Sequence, residues 1–194
     1  MAGLLSNFRN TMILSGVLAL IMIVSFGQAH GGIDGNFWQA VFRWMHVVFG
    51  VLWIGLLYYF NFVQIPTMPK IPAELKPALG KYITPQALFY FRWSAAFTVL
   101  AGLLLAWLNG YMHEAFGFKP GFRLIGIGMW LGLIMAFNVW VIIWPNQKRA
   151  LGIVEADDAS KAKSARTAML TSRINTLLSI PMLYAMTTFQ TLPA

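Results

Sequence analysis

The feature that most constrains this chain is the recurrence of long apolar runs, at 11–27, 37–65, 87–108, 122–145 and 169–190. Each is close to the roughly 20 residues that a helix needs to cross the hydrocarbon core of a bilayer. Lipid offers no partner to a backbone N–H or C=O, and a helix satisfies both within one segment. Composition agrees, with 58% hydrophobic and only 10% charged residues, where soluble domains carry roughly 25% charged. The expected fold is an all-α integral membrane protein, a bundle of about five transmembrane helices forming one domain over 1–194. Arg9 ahead of the first run and Gly27-Gln28-Ala29 behind it have the outline of a signal peptide. We read this run as a retained helix.

Five crossings put the N-terminus and the connections 66–86 and 146–168 on one side. That side carries Arg9, Lys70, Lys76, Lys81, Arg92, Lys148, Arg149, Lys161, Lys163, Arg166 and Arg173, against Arg43, Lys119 and Arg123 on the other. The positive-inside rule then predicts a cytoplasmic N-terminus and a periplasmic C-terminus in a bacterial inner membrane. Trp38, Trp44, Tyr82, Tyr111 and Trp144 fall near span ends, where amphipathic rings prefer the interface. The same topology accounts for the net charge of +8 without a nucleic-acid partner. Within 146–168, Glu155, Asp157 and Asp158 followed by Lys161, Lys163 and Arg166 predict a short solvated helix at the membrane surface, either a charged connector or a docking surface. Gly128 and Gly132 form a small-xxx-small pair suited to close helix approach, within the chain or against a partner subunit.

The chain has no cysteine. This excludes disulfides, thiolate metal sites, iron–sulfur clusters and covalent c-type haem attachment. A His-Glu-x-x-His pair, a phosphate-cradling glycine loop and a Gly-x-Ser-x-Gly elbow are also absent from the sequence. Function is therefore sought among polar residues inside the apolar runs. In the second run, helical spacing puts Arg43, His46, Gly50, Trp53 and Leu57 on one face. That pattern suits haem b: His46 as axial ligand, Gly50 leaving room for a flat ring, Arg43 pairing with a propionate. A histidine hydrogen-bonded to a neighbouring helix is the structural alternative. A second polar set comprises Arg92, Asn138, Asn146, Gln147, Arg173, Asn175 and Ser179. These residues are expected to meet in one inter-helix seam, as structural glue or as a route for protons or substrate.

Four blocks carry a resemblance: His46 through Phe62; Phe91-Arg92-Trp93 with Phe97-Thr98 and Gly102; Asn138-Val139-Trp140 with Trp144-Pro145-Asn146-Gln147-Lys148; and Ser172-Arg173-Ile174-Asn175-Thr176 with Ser179-Ile180-Pro181-Met182. In this order, over about 37–186, they resemble the membrane domain of the bacterial membrane-bound urate oxidase (urate hydroxylase) family. A histidine helix continuing to Trp-x-Gly also resembles, more faintly, the copper-resistance and protoporphyrinogen-oxidase membrane families. The resemblance implies a membrane redox protein with a haem or metal role for His46. Full-length members resemble a longer membrane domain followed by a cytochrome c domain, which is not expected here. Where relatives often end the last span in a histidine-containing segment, this chain reads Thr188-Phe189-Gln190-Thr191.

A second iron ligand would come from His30 or His113, or from the sulfur of Met45, Met112 or Met129; His30, His113 and Glu114 could alternatively hold copper or zinc. Two expectations follow. One is a redox protein that binds haem b and relays electrons to a separate cytochrome. The other is a non-catalytic accessory subunit packed against a larger membrane complex.

Overall fold

The computed structural model describes residues 2–29 and 31–192. After one helical turn at Ala2–Leu5 come α1 (Phe8–Ala29), α2 (Gly35–Lys70), α3 (Lys76–Leu108), the short α4 (Met112–Phe116), α5 (Arg123–Ala150) and α6 (Asp158–Thr188). There is no strand among the described residues. Four helices, α1, α2, α3 and α5, are long and apolar enough to cross a membrane. The 31 residues of α6 would reach roughly 46 Å at 1.5 Å each. Its apolar content is diluted by Thr171, Ser172, Arg173, Asn175, Thr176 and Ser179, so the fifth run differs in character from the other four.

The connections are shorter than the sequence suggests. Instead of an open loop over 66–86, only 71–75 lie outside helix between α2 and α3. Pro66, Pro85 and Pro145 sit inside the helices, each just after a π turn. Tyr59–Gln64 precedes Ile65-Pro66, Leu79–Ile83 precedes Thr84-Pro85, and Asn138–Ile143 precedes Trp144-Pro145. A proline ring collides with the carbonyl four residues back, and an extra residue in the turn moves that carbonyl aside. The helices therefore absorb their prolines. Likewise, 146–168 is mostly helix. Gly152, at φ 71°, turns the chain after α5. Asp157 starts α6 by accepting the Ser160 N–H at 2.8 Å and its hydroxyl at 2.7 Å. The predicted surface helix and the predicted last span are one continuous α6.

Two antiparallel pairs build the bundle. Gln39 with Leu108, His46 with Thr98 and Gln64 with Thr84 set the register of α2 on α3. Asn138 with Asn175 and Gly128 with Ala185 set that of α5 on α6. Between the pairs lies a core of Trp53, Leu57 and Phe60 from α2, Leu88, Phe91 and Ala95 from α3, Met135, Val139 and Ile143 from α5, and Ala168 and Met182 from α6. A smaller cluster of Ala106, Ala115, Ile125 and Met129 closes the end that carries α4. Lipid is as apolar as leucine, so close packing and hydrogen bonds must hold such helices together. The exception is α1, none of whose 22 residues is buried. It touches the bundle at Gly27, where a Cβ would come within 2.6 Å of the Phe37 ring.

Candidate functional site

His46 lies on the α2–α3 seam, half-buried. Its Nδ1 stands 2.8 Å from the Thr98 carbonyl oxygen. A carbonyl only accepts, so Nδ1 carries the proton and Nε2 keeps its lone pair. The imidazole edge occupies the place of a side chain at Gly102: a Cβ there would lie 2.7 Å from both Nδ1 and Cε1. In a helix the Thr98 carbonyl faces residue 102, and the glycine leaves it open to a second donor. Gly50, one turn along α2, meets Thr98 Cγ2 at 3.7 Å from where its Cβ would be. The pairs His46/Gly50 and Thr98/Gly102 thus interlock across antiparallel helices. Gly50 seats α3, and the slot expected there for a flat ring is filled by Thr98.

The rest of the expected haem face is dispersed. Arg43 is exposed and acts on Tyr111, whose phenol is pushed up by burial and drawn back down by that guanidinium. Trp53 is 2% exposed and belongs to the hydrophobic core. His113 is exposed on α4, beside the Glu114 that pairs with Lys119 at 3.9 Å. His30 lies outside the described residues. Among the described residues no three His, Asp or Glu side chains gather where they could hold a metal ion. For haem b, the tautomer of His46 fits an axial ligand through Nε2. The surroundings of Gly50 do not fit a macrocycle lying there.

The second polar set divides. Asn138 Nδ2 donates to Asn175 Oδ1 at 2.8 Å, and Asn175 Nδ2 donates to the Met135 carbonyl at 2.9 Å. Both asparagines are buried, Asn175 completely. Arg92 does not reach them; its guanidinium carbon lies 3.8 Å from the centroid of the Trp144 ring and 5.5 Å from that of Phe89. Arg173 is exposed, Gln147 is half-buried, and Asn146 bonds to the Ile142 carbonyl of its own helix.

The seam extends through α2 residues that spacing did not single out. Tyr58 and Ser179 hydroxyls meet at 3.0 Å, Asn61 Nδ2 donates to Ser172 Oγ at 2.8 Å and to the Leu57 carbonyl at 2.9 Å, and Gln64 Nε2 donates to Thr84 Oγ1 at 3.0 Å. Leu57 and Met135 both lie in the turn ahead of a π segment, and both receive an asparagine amide. Asn61, about four turns along α2 from His46, was the legible sign: an amide inside an apolar run needs a partner.

Comparison with known proteins places part of this arrangement. No curated protein and no solved structure matches the chain. A family model described as urate oxidase, N-terminal, matches residues 111–190. The match spans α4, α5 and all of α6, including Asn138, Gln147, Arg173 and Asn175, and leaves His46, Arg43, Gly50, Trp53 and Arg92 outside it. Over 111–190 the chain is similar to the N-terminal region of urate oxidases of that family.

Proposed function

We propose that this chain is a membrane-embedded subunit of a urate oxidase-type redox system, assembling with partner subunits or a separate cytochrome. The observation that carries the reading is the use made of its interior polar groups. His46, Asn138 and Asn175 are each engaged in helix-to-helix hydrogen bonds. α1 points the same way, since none of its residues is buried and most of its surface is left for lipid or a partner. A second reading, haem b on His46, is favoured by one specific feature. Ligating histidines donate their other ring N–H to a carbonyl, as His46 does to Thr98.

The visible absorption of the purified chain, oxidised and then reduced with dithionite, separates the two. The subunit reading expects no Soret band, and His46→Ala then lowers only thermal stability. A Soret band that shifts on reduction and vanishes in His46→Ala would replace it with the haem reading.

The topology belongs to the same proposal: five crossings of a bacterial inner membrane, α6 the last, with 146–168 cytoplasmic and the C-terminus periplasmic. The 11-to-3 division of Lys and Arg supports it. With no native cysteine, Thr191→Cys should react with an impermeant thiol reagent on intact cells and Ala159→Cys should not. The opposite labelling pattern would reverse the orientation, and labelling of both would remove α6 as a span.

A further inference from the structure

We propose that Arg92, Lys148 and Trp144 form a binding site for the phosphate of an anionic phospholipid. The Trp144 ring has the Arg92 guanidinium carbon 3.8 Å from its centroid and Lys148 Nζ 5.7 Å from it. These distances hold the two cations within about 10 Å of each other, the Debye length at 0.1 M salt, so their fields add. Neither has a carboxylate: the ion pairs among the described residues are Lys119–Glu114 and Lys161–Asp158. Two like charges beside one ring repel, and an anion is the missing partner.

The geometry selects the anion's chemistry. Stacking occupies a face of the guanidinium and leaves its N–H donors on the edge, and no side-chain hydrogen bond from Arg92 is found among the described residues. Edge donors in a planar fork match phosphate oxygens, and a lysine adds a point charge. The backbone carbonyl of Arg92 is itself fixed by Trp140 Nε1 at 3.1 Å, and Trp93 stands edge-on to Trp140 at 5.4 Å between centroids. The site is thus held on membrane-spanning helices α3 and α5. Trp144, near the end of α5, suits the headgroup depth, where tryptophans concentrate. That setting selects a lipid phosphate over free phosphate, and the two uncompensated charges select an anionic headgroup over a zwitterionic one.

The test is retention of lipid by the purified chain. Protein from vesicles of equal phosphatidylglycerol and phosphatidylcholine is stripped in mild detergent, and bound lipid is counted by native mass spectrometry. The wild type should keep phosphatidylglycerol preferentially. Preference should fall about fivefold per cation removed and roughly thirtyfold in Arg92→Gln/Lys148→Gln. Lys163→Gln, an exposed cation on α6, should retain the wild-type preference. If Arg92→Gln does not insert, Lys148→Gln alone carries the test, with the fivefold loss expected. Equal retention of both lipids by the wild type, an unchanged preference in Lys148→Gln, or displacement of the lipid by inorganic phosphate in the stripping buffer would each overturn the site.

Discussion

Gly126→Ala should destabilise the bundle by about 1–3 kcal/mol, the usual cost of forcing an extra methyl group into a packed core. Gly126 is buried in the first turn of α5, and a Cβ built on it overlaps the Ala115 carbonyl of α4, with Phe118 Cδ1 at 3.3 Å. Backbone cannot swing away as a side-chain tip can. Ala115 is fully buried, so α4 must lift off α5 and loosen the cluster of Ala106, Ile125 and Met129. Helix propensity opposes this, because alanine exceeds glycine by about 1 kcal/mol in a helix interior. Gly132→Ala isolates that term: the same helix has nothing within 4 Å of a Cβ there. Thermal unfolding in detergent, followed by circular dichroism, should shift down for Gly126→Ala and stay level or rise for Gly132→Ala. Shifts of the same sign and size would show that the contact with Ala115 does not matter.

The same glycines show what sequence carries and what it hides. Gly128 and Gly132 have the spacing of a close-approach motif, but only Gly128 receives a neighbour, with Ala185 Cβ at 3.1 Å. Spacing places two small residues on one face; which of them meets a helix depends on the crossing point. Gly126, the most crowded of the three, sits beside a helix of five residues, too short to leave a periodic signal. The apolar runs were legible because lipid imposes length and composition on a span. Their ends were not, since Pro66 and Pro85 ordinarily stop helices and here follow π turns.

The candidate site was legible to the extent that its partners are side chains. Asn138 and Asn175 could be paired from sequence because an amide in an apolar run seeks another polar side chain. The acceptor for His46 could not, because it is the backbone of Thr98 and is exposed by the absence of a side chain at Gly102. Arg92 was expected among amides and instead lies against an indole. Charge alone does not distinguish those partners; the Trp144 ring stands against the Arg92 guanidinium, at 3.8 Å from its carbon to the ring centroid.

Asn175→Ala should be the most damaging polar substitution in the interior. Asn175 is fully buried, accepts from Asn138 and donates to the Met135 carbonyl. Truncation removes both bonds and leaves the Asn138 amide and the carbonyl without those partners, at about 1–3 kcal/mol for a stranded buried group. Asn138→Ala removes one bond and should cost less. Inside membranes such bonds average only about 0.6 kcal/mol, with a maximum near 1.7, because the unfolded chain also finds partners. The coupling energy from the double variant is therefore the sharper quantity, expected within that range and favourable to the pair. The bond to Met135 should remain as a separate loss, visible as an Asn175→Ala effect that persists when Asn138 is already alanine. Measured by reversible unfolding in mixed detergent, additive single effects would mean that the two amides do not bond in the folded chain. Vanishing of the Asn175→Ala effect in the Asn138→Ala background would mean that the Met135 carbonyl does not depend on it.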